Sequence, residues 1–361
     1  MKTLYKSLPT FTAIVCFALF SCKKDDPKPN TTPNYTVPTT YNFENATVNG
    51  LAATTRLKML SVLIEEAEKG NAKGTQVSAS VLKDMFENNQ TTLPFVSKGI
   101  SATFSIKDKT DERFYDKFNA FADRLATASQ ATDSGDVNKA GVMKAKTSTS
   151  TKLYDDKGYA PYEILEKGLM GALQYYQITS VLLKDDKIGA SVTKDQRQKN
   201  WDLAFAYLGI NYDYPGLDAT PFWGEYIGTI GKILGDNDKT IFEAFRKGRA
   251  AINNDDNAAV SSSAATIIKE LERSTAGMGL RYLLRAKTYY TSDPVRRNAG
   301  LTEGYGFIEG LKYNSSKTIS DAEITEIQTL MGDNNWNTSL DNINTAIDKL
   351  VNKFGFDLSK F

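Results

Sequence analysis

The stretch DERFYDKFNAFADRL, residues 111–125, decides the fold class. Its apolar side chains recur at intervals of four, three and four residues: Phe114, Phe118, Phe121 and Leu125. Because an α-helix turns once in about 3.6 residues, this spacing places them on one face. The stretch therefore predicts an amphipathic helix that begins after Asp111 and packs against a core.

The same helical spacing continues on both sides of this stretch. Leu57, Leu60 and Ile64 share one face of an upstream run. Clusters of Gly, Pro, Asn and Asp separate the other predicted helices, which cover about residues 160–184, 194–209, 221–234, 238–252, 258–290, 294–313, 320–332 and 338–354.

Two regions lack clear helical spacing. Residues 90–109 alternate weakly and predict a loop or a short strand pair, and residues 133–156 predict a long surface loop. The rest of the pattern predicts an all-α domain over 41–361. Its simplest arrangement is two packed antiparallel helical bundles, of about 41–190 and 191–361.

The first residues predict an export signal and lie outside the fold. Two lysines precede an apolar segment at 11–20 that is too short to span a bilayer. The segment ends in Leu-Phe-Ser-Cys at 19–22, which resembles the lipobox of bacterial lipoproteins. We therefore predict a signal peptide at 1–21 and lipidation of Cys22. An ordinary signal peptide or an uncleaved anchor is the alternative.

The next segment, 22–40, predicts a disordered tether. It begins with the charged run Lys-Lys-Asp-Asp at 23–26 and carries four prolines between Pro27 and Pro38. Such a segment buries too little apolar surface to fold. The charged run resembles the signal that directs some lipoproteins to the cell surface. We therefore predict a lipid-anchored outer-membrane protein, with the cell surface favoured over the periplasmic side.

Composition excludes several kinds of chemistry. The 361 residues include 44 Lys and Arg, 43 Asp and Glu, and no His. Without His there is no Ser-His-Asp or Cys-His catalysis and no His-ligated zinc or haem. Both cysteines lie in the first 22 residues, so cleavage before Cys22 would leave no free thiol. We predict no nucleic-acid partner, cofactor, metal site or catalytic residue, which leaves carboxylate-only chemistry or simple binding.

Charged residues beside apolar helix faces are the candidates for a binding site or a buried polar cluster. Asp202 and Arg249 each lie among apolar residues of a predicted helix. Burying a lone charge is costly, so we predict that Arg249 pairs with at least one of Asp202, Glu166 or Glu272. The candidate set is completed by aromatic and acidic neighbours: Trp201, Tyr207, Trp223 and Glu225. A purely structural role in the core is the alternative.

A weak internal similarity brings Glu166 and Glu272 into this set. Leu-Glu-Lys at 165–167 recurs as Leu-Glu-Arg at 271–273, and a glycine follows each at the same offset. A duplication would give the two bundles equivalent glutamates. Solvated charges on helix faces are the alternative.

Five motifs together resemble one known family. They are YNF at Tyr41, EKGLMGA at 166–172, NWDLAFAYLG at 200–209, PFWGEY at 221–226 and FRKGRAAI at 245–252. Over most of its mature length the chain is similar to the lipoprotein family designated domain of unknown function 4856. The resemblance implies an all-helical fold like that of imelysin-like proteins. It also implies association with imelysin, haem-oxidoreductase and TonB-dependent receptor partners, which suggests iron, haem or metal acquisition.

One helix departs from what the resemblance implies. Imelysin-like proteins carry a His-x-x-Glu pair as a proposed metal site, and related family members often have histidines before the Trp-Asp of the helix at 201. Here Lys199 and Asn200 take that place, and Leu203 stands where an acidic residue is common. These departures argue against metal binding through this helix.

Three classes of function remain. We favour a non-catalytic surface lipoprotein that binds a ligand or docks on a TonB-dependent receptor or an imelysin-like lipoprotein. The second class is a carboxylate-based hydrolase that would use Glu225 with Asp202 or Glu166. The third is a glycan-binding lipoprotein of nutrient uptake, suggested by the Tyr and Trp content. Paired inward carboxylates would favour catalysis, and exposed coplanar aromatic rings would favour a glycan.

Overall fold

The computed structural model describes residues 34–89, 94–146, 149–215 and 221–361. The predicted signal peptide, Cys22 and most of the predicted tether lie outside these residues.

The described part of the chain is mostly helical, as the sequence predicts. Its α-helices are, in order, α1 (Ala46–Glu68), α2 (Ala79–Glu87), α3 (Pro94–Ser97), α4 (Tyr115–Ala128), α5 (Pro161–Leu169), α6 (Asp185–Ile188), α7 (Lys194–Leu208), α8 (Trp223–Ile233), α9 (Asn237–Asn253), α10 (Asn257–Thr288), α11 (Pro294–Gly310), α12 (Asp321–Met331) and α13 (Leu340–Phe354). From α7 onward the predicted bounds differ from these by at most three residues.

The α5 helix continues beyond Leu169 as a wider π-helix over Met170–Tyr175 and Gln177–Leu182. In this form each amide bonds to the carbonyl five residues earlier, which is uncommon and usually confined to single turns. A Cβ atom on Gly171 would lie 2.6 Å from the Cα of Gly310 in α11. These two glycines therefore let the π-helical segment and α11 approach to backbone contact.

A small antiparallel sheet corrects the predicted surface loop at 133–156. Strand β1 (Gly141–Lys144) pairs with β2 (Thr151–Tyr154), with Gly141 opposite Tyr154. Leu153 and Tyr154 are buried, and the Tyr154 hydroxyl donates to the Val295 carbonyl at 2.8 Å. Each strand has only four residues, so the alternation is too short to be read from the sequence.

The region at 90–109 forms no strand in its described residues. It contains the one-turn helix α3 and a 3₁₀ turn over Lys107–Lys109. Of the two predicted alternatives, the loop is the one that matches.

The longest helix, α10, lies at the centre of the packing. Helices α8, α9, α11 and α13 pack against it. The apolar core on its α11 and α13 side includes Leu280, Leu283, Ile308 and Ile347. Helix α1 packs on α7 and α5 packs on α11, so helices from both sides of residue 190 contact each other within one compact unit, Val37–Phe361. The division into two bundles stays a prediction.

None of the helices in the described ranges combines the length and apolar character needed to cross a membrane.

Candidate functional site

Arg249 of α9 pairs with Asp202 of α7, and both side chains are almost fully buried. The Arg249 Nε lies 2.9 Å from the Asp202 Oδ1. Asp202 also accepts from the Tyr41 hydroxyl at 2.7 Å and from the Asn49 amide at 2.8 Å. The prediction that Arg249 pairs with one of three carboxylates is confirmed, with Asp202 as the partner. We call Tyr41, Asn49, Asp202 and Arg249 the N-terminal clasp.

Aromatic rings enclose the clasp. The Tyr41 ring stacks on Phe205 with centroids 3.7 Å apart, and the Trp201 Nε1 donates to the Phe245 carbonyl at 2.9 Å. A Cβ atom on Gly248 would lie 2.0 Å from the Trp201 ring, so only glycine leaves room for the indole. Burial, and then the Asp202 charge, raise the pKa of Tyr41 well above its usual value. These contacts make Trp201 and Asp202 part of a packed core.

The clasp ties the start of the domain to two helices distant in sequence. Arg249 also donates to the Glu44 carbonyl at 3.2 Å, and its guanidinium lies over the Phe43 ring at 5.2 Å. The motifs YNF, NWD and FRKGR therefore meet in one buried cluster. Since its carboxylate is shielded from solvent and both carboxylate oxygens accept hydrogen bonds, the clasp is suited to stabilising the fold and not to reacting with a substrate.

The other predicted site residues lie apart from the clasp. The Trp223 Nε1 donates to the Met170 carbonyl of the π-helical segment at 3.1 Å. Tyr207 is buried, and burial raises its pKa to about 12 despite the nearby Arg56 charge. Glu225 is exposed on α8.

The two glutamates of the internal similarity have different partners. Glu272 accepts from the Thr318 amide at 2.6 Å and from the Ile319 amide at 3.3 Å, so it holds the loop before α12. Glu166 lies 2.8 Å from the Lys167 ammonium. Neither pairs with Arg249, and the sequence set is therefore not one site.

Glu166 belongs to a second buried ionic group, which we call the charge cluster. Its members come from β2, α5 and α11: Lys152, Glu163, Glu166, Lys167 and Glu303. The Lys167 ammonium lies 3.3 Å from the Glu163 carboxylate, and Lys152 contacts Glu163 directly and Glu303 at 3.8 Å. The Tyr162 hydroxyl donates to Glu163 at 2.6 Å. Within the cluster three carboxylates share two ammonium groups, and the guanidinium of Arg285, which lies 3.5 Å from Glu303, is a third cation at its edge.

Burial and the unequal contact of each glutamate with the cations shift the pKa values of the three glutamates in different directions. Burial alone would raise the pKa of Glu163, but Lys152 and Lys167 lower it to about 2. Burial raises the pKa of Glu166, and the Glu163 charge adds to that against the attraction of Lys167. Burial and the Glu163 charge likewise raise the pKa of Glu303. The cluster therefore favours one firmly ionised carboxylate and two that hold a proton more readily.

Sequence reasoning missed most of the charge cluster. Lys152 lies in a predicted surface loop, and Lys167 would ordinarily be expected in solvent. A Cβ atom on Gly306 of α11 would lie 2.6 Å from the Lys167 Cβ, so this glycine makes room for the buried lysine. The sequence feature that could have indicated this close packing is the set of four glycines in α11, at 300, 304, 306 and 310.

A basic cleft lies against the charge cluster. It has a volume of about 740 Å³ and is lined by Ile233, Arg281, Tyr282, Leu284, Arg285, Thr288, Tyr289, Arg296, Lys360 and Phe361. Arg285 reaches from the cleft to the Glu303 carboxylate at 3.5 Å. The Tyr282 hydroxyl lies 3.4 Å from that of Tyr226, whose ring lies 4.8 Å from the Lys167 ammonium. None of the lining side chains is acidic.

The described residues contain no group of three or more His, Cys, Asp and Glu side chains arranged to hold a metal ion.

Comparison with known proteins gives a family and no closer relative. No curated protein and no solved structure matches the chain significantly. The model of one family matches residues 38–357, which include the clasp, the charge cluster and nearly all of the cleft. The chain therefore belongs to the family described as "Domain of unknown function (DUF4856)".

Proposed function

We propose that this protein is an outer-membrane lipoprotein, held at the cell surface by lipid on Cys22, that binds a ligand or docks on a receptor without catalysis. The process it serves is the acquisition of iron, haem or another metal. The observation that carries the binding role is the basic cleft, because it is open, large and lined by cations and aromatic rings. The export segment and the family resemblance support the location and the process.

The burial of the carboxylates supports binding over catalysis. A general acid or base must come within hydrogen-bond reach of its substrate. Glu163 and Glu303 are buried and paired with cations, and neither lines the cleft. Glu225, which the hydrolase alternative requires, is exposed on α8, whereas both of its possible partners are engaged elsewhere: Asp202 is buried in the clasp and Glu166 pairs with Lys167. Binding therefore fits the site better than a carboxylate-based hydrolase.

The proposed partners are a TonB-dependent receptor or an imelysin-like lipoprotein of the same membrane. We also propose that the helices follow the two-bundle arrangement of imelysin-like proteins. The resemblance of the five motifs supports both proposals.

Two measurements on cells test the location and the docking role. Metabolic labelling with a palmitate analogue should mark the wild-type protein and leave Cys22→Ala unmarked; equal labelling would contradict lipidation. The tagged full chain, purified from solubilised outer membranes, should retain one of the proposed partners. Recovery without either partner, also after mild cross-linking, would contradict the docking role.

A further inference from the structure

We propose that the basic cleft binds a ligand with at least two negative charges, as phosphate or carboxylate groups, on an apolar or aromatic body. The inference rests on the proposed binding function and names the ligand class. It does not depend on lipidation or on the cellular location.

The first argument is the local excess of positive charge. Four cationic side chains line the cleft: Arg281, Arg285, Arg296 and Lys360. Two of them have a carboxylate partner behind the lining, Arg285 with Glu303 at 3.5 Å and Arg296 with Asp293 at 3.9 Å. The whole chain has a formal charge of only +1, so this concentration does not follow from general basicity. The C-terminal dipole of α10 is equivalent to about half an elementary charge, so the two remaining cations, Arg281 and Lys360, still exceed what it can balance.

The second argument is that polar contacts and neighbouring aromatic rings orient two of the guanidinium groups. Arg296 donates to the Tyr289 hydroxyl at 2.6 Å and lies over that ring at 4.8 Å. Arg285 bonds to Glu303 at 3.5 Å and lies 5.9 Å from the Tyr282 ring. A guanidinium has five N–H donors in a rigid fork that matches phosphate and carboxylate oxygens. Donors that are already oriented lose less entropy when an anion binds.

The third argument concerns the two cations that have no carboxylate partner. Arg281 and Lys360 are exposed, and neither forms a salt bridge with any residue that the structure describes. They lie at the same cleft as the two oriented arginines. An anion there would meet two exposed cationic side chains that form no salt bridge with the described residues, which favours a ligand with more than one negative charge.

The fourth argument is the size and apolar part of the cleft. Its volume of about 740 Å³ exceeds what one phosphate ion fills and falls in the usual range of small-molecule sites, about 300 to 1,000 Å³. Ile233, Leu284 and Phe361 line it together with the two tyrosine rings. These surfaces would be covered by the body of a ligand and not by its charged groups.

The test is a titration of the purified full chain with defined probes. 1-Naphthyl phosphate carries both features, inorganic pyrophosphate only the charge, and 1-naphthyl glucoside only the body. We expect 1-naphthyl phosphate to bind at least about tenfold more tightly than either of the others, and more weakly as salt rises. Equal affinity for the phosphate and the glucoside would overturn the inference.

Matched variants separate the cleft from the net charge. Arg281→Gln/Lys360→Gln should weaken 1-naphthyl phosphate binding by at least about tenfold. The control Lys199→Gln/Lys247→Gln removes the same charge from exposed positions on α7 and α9 and should change binding less than about twofold. Equal weakening in both variants would overturn the site. Circular dichroism of each variant confirms that it is folded.

Vesicles distinguish the source of the charged group. Binding that also occurs to vesicles with cardiolipin, which carries two phosphate groups on one lipid, and is lost in Arg281→Gln/Lys360→Gln, assigns the site to a lipid headgroup. Binding of the free probe without vesicle binding assigns it to a soluble ligand. No binding in either arm overturns the inference. A protein that retains its membrane partner but binds no probe would overturn this inference and leave the proposed function standing.

Discussion

The N-terminal clasp and the charge cluster are both buried ionic groups, yet they are built differently. In the clasp one carboxylate, Asp202, meets one guanidinium, Arg249, and hydroxyl and amide donors complete its hydrogen bonds. In the charge cluster three carboxylates share two lysines, and one of them, Glu303, also meets Arg285 at the edge. The clasp is sealed by aromatic rings, whereas the cluster connects through Arg285 to the basic cleft.

The difference teaches which buried charges to associate with function. Charges that are matched one to one and fully bonded are typical of structural ion pairs. A group in which the charges share partners, with the pKa of one glutamate lowered and those of two raised, is typical of sites that bind or respond. The family motifs converge on the clasp, so a resemblance carried by motifs can mark a structural element.

The largest effect that we expect is on the clasp. Arg249→Ala leaves Asp202 buried without its cation, and this should lower the free energy of unfolding by about 3 to 5 kcal/mol. Urea denaturation measures the loss. The control is Lys247→Ala on the same helix, whose exposed pair with Glu243 should contribute at most about 0.5 kcal/mol. If the loss of stability in Arg249→Ala were no greater than in the control, the structural role of the clasp would be contradicted.

The next effect tests whether the charge cluster responds to pH. Lys167→Met removes one of the two ammonium groups, and we expect a loss of about 3 kcal/mol at pH 8. The pKa of Glu166 is already raised, and losing Lys167 raises it further, so the folded state takes up protons as the pH falls. The loss should therefore be at least about 1 kcal/mol smaller at pH 5. Lys247→Met, in contrast, should show the same small change at both pH values, and a pH-independent loss in Lys167→Met would contradict the assignment.

The smallest effects separate two glutamates three residues apart on α5. The pKa of Glu163 is lowered to about 2, so its charge stabilises the fold above its ordinary pKa of about 4.5, and this contribution is lost as the pH falls toward 2. Glu163→Gln should cost about 2 to 3 kcal/mol at pH 7 and progressively less in acid. Because the pKa of Glu166 is raised, Glu166→Gln should change stability by less than about 1 kcal/mol at pH 7. Thermal melts at pH 7 compare the two variants. Similar losses of stability would contradict the opposite pKa shifts of Glu163 and Glu166.

Local sequence patterns predicted the helices because periodicity is a local property. The apolar spacing at 111–125 anticipates α4, and the pairing of Arg249 follows from the cost of burying a lone charge among apolar neighbours. The charge cluster depends instead on β2, α5 and α11 meeting across the fold. Lys152 lies on a strand of only four residues, and Lys167 has room only because Gly306 lacks a side chain. The sequence around these residues does not indicate which distant residues they contact.

The clasp also has a mechanical consequence. Moving along the chain from Pro38, the carbonyl of Pro38 is held by Arg246, the backbone and hydroxyl of Tyr41 by Tyr212 and Asp202, and the carbonyl of Glu44 by Arg249. Tension applied to the chain ahead of Pro38 meets these attachments in that order before it reaches α1 at Ala46. These attachments transfer the load to α7, α9 and the backbone at Tyr212, so α1 is not pulled from its end until they break.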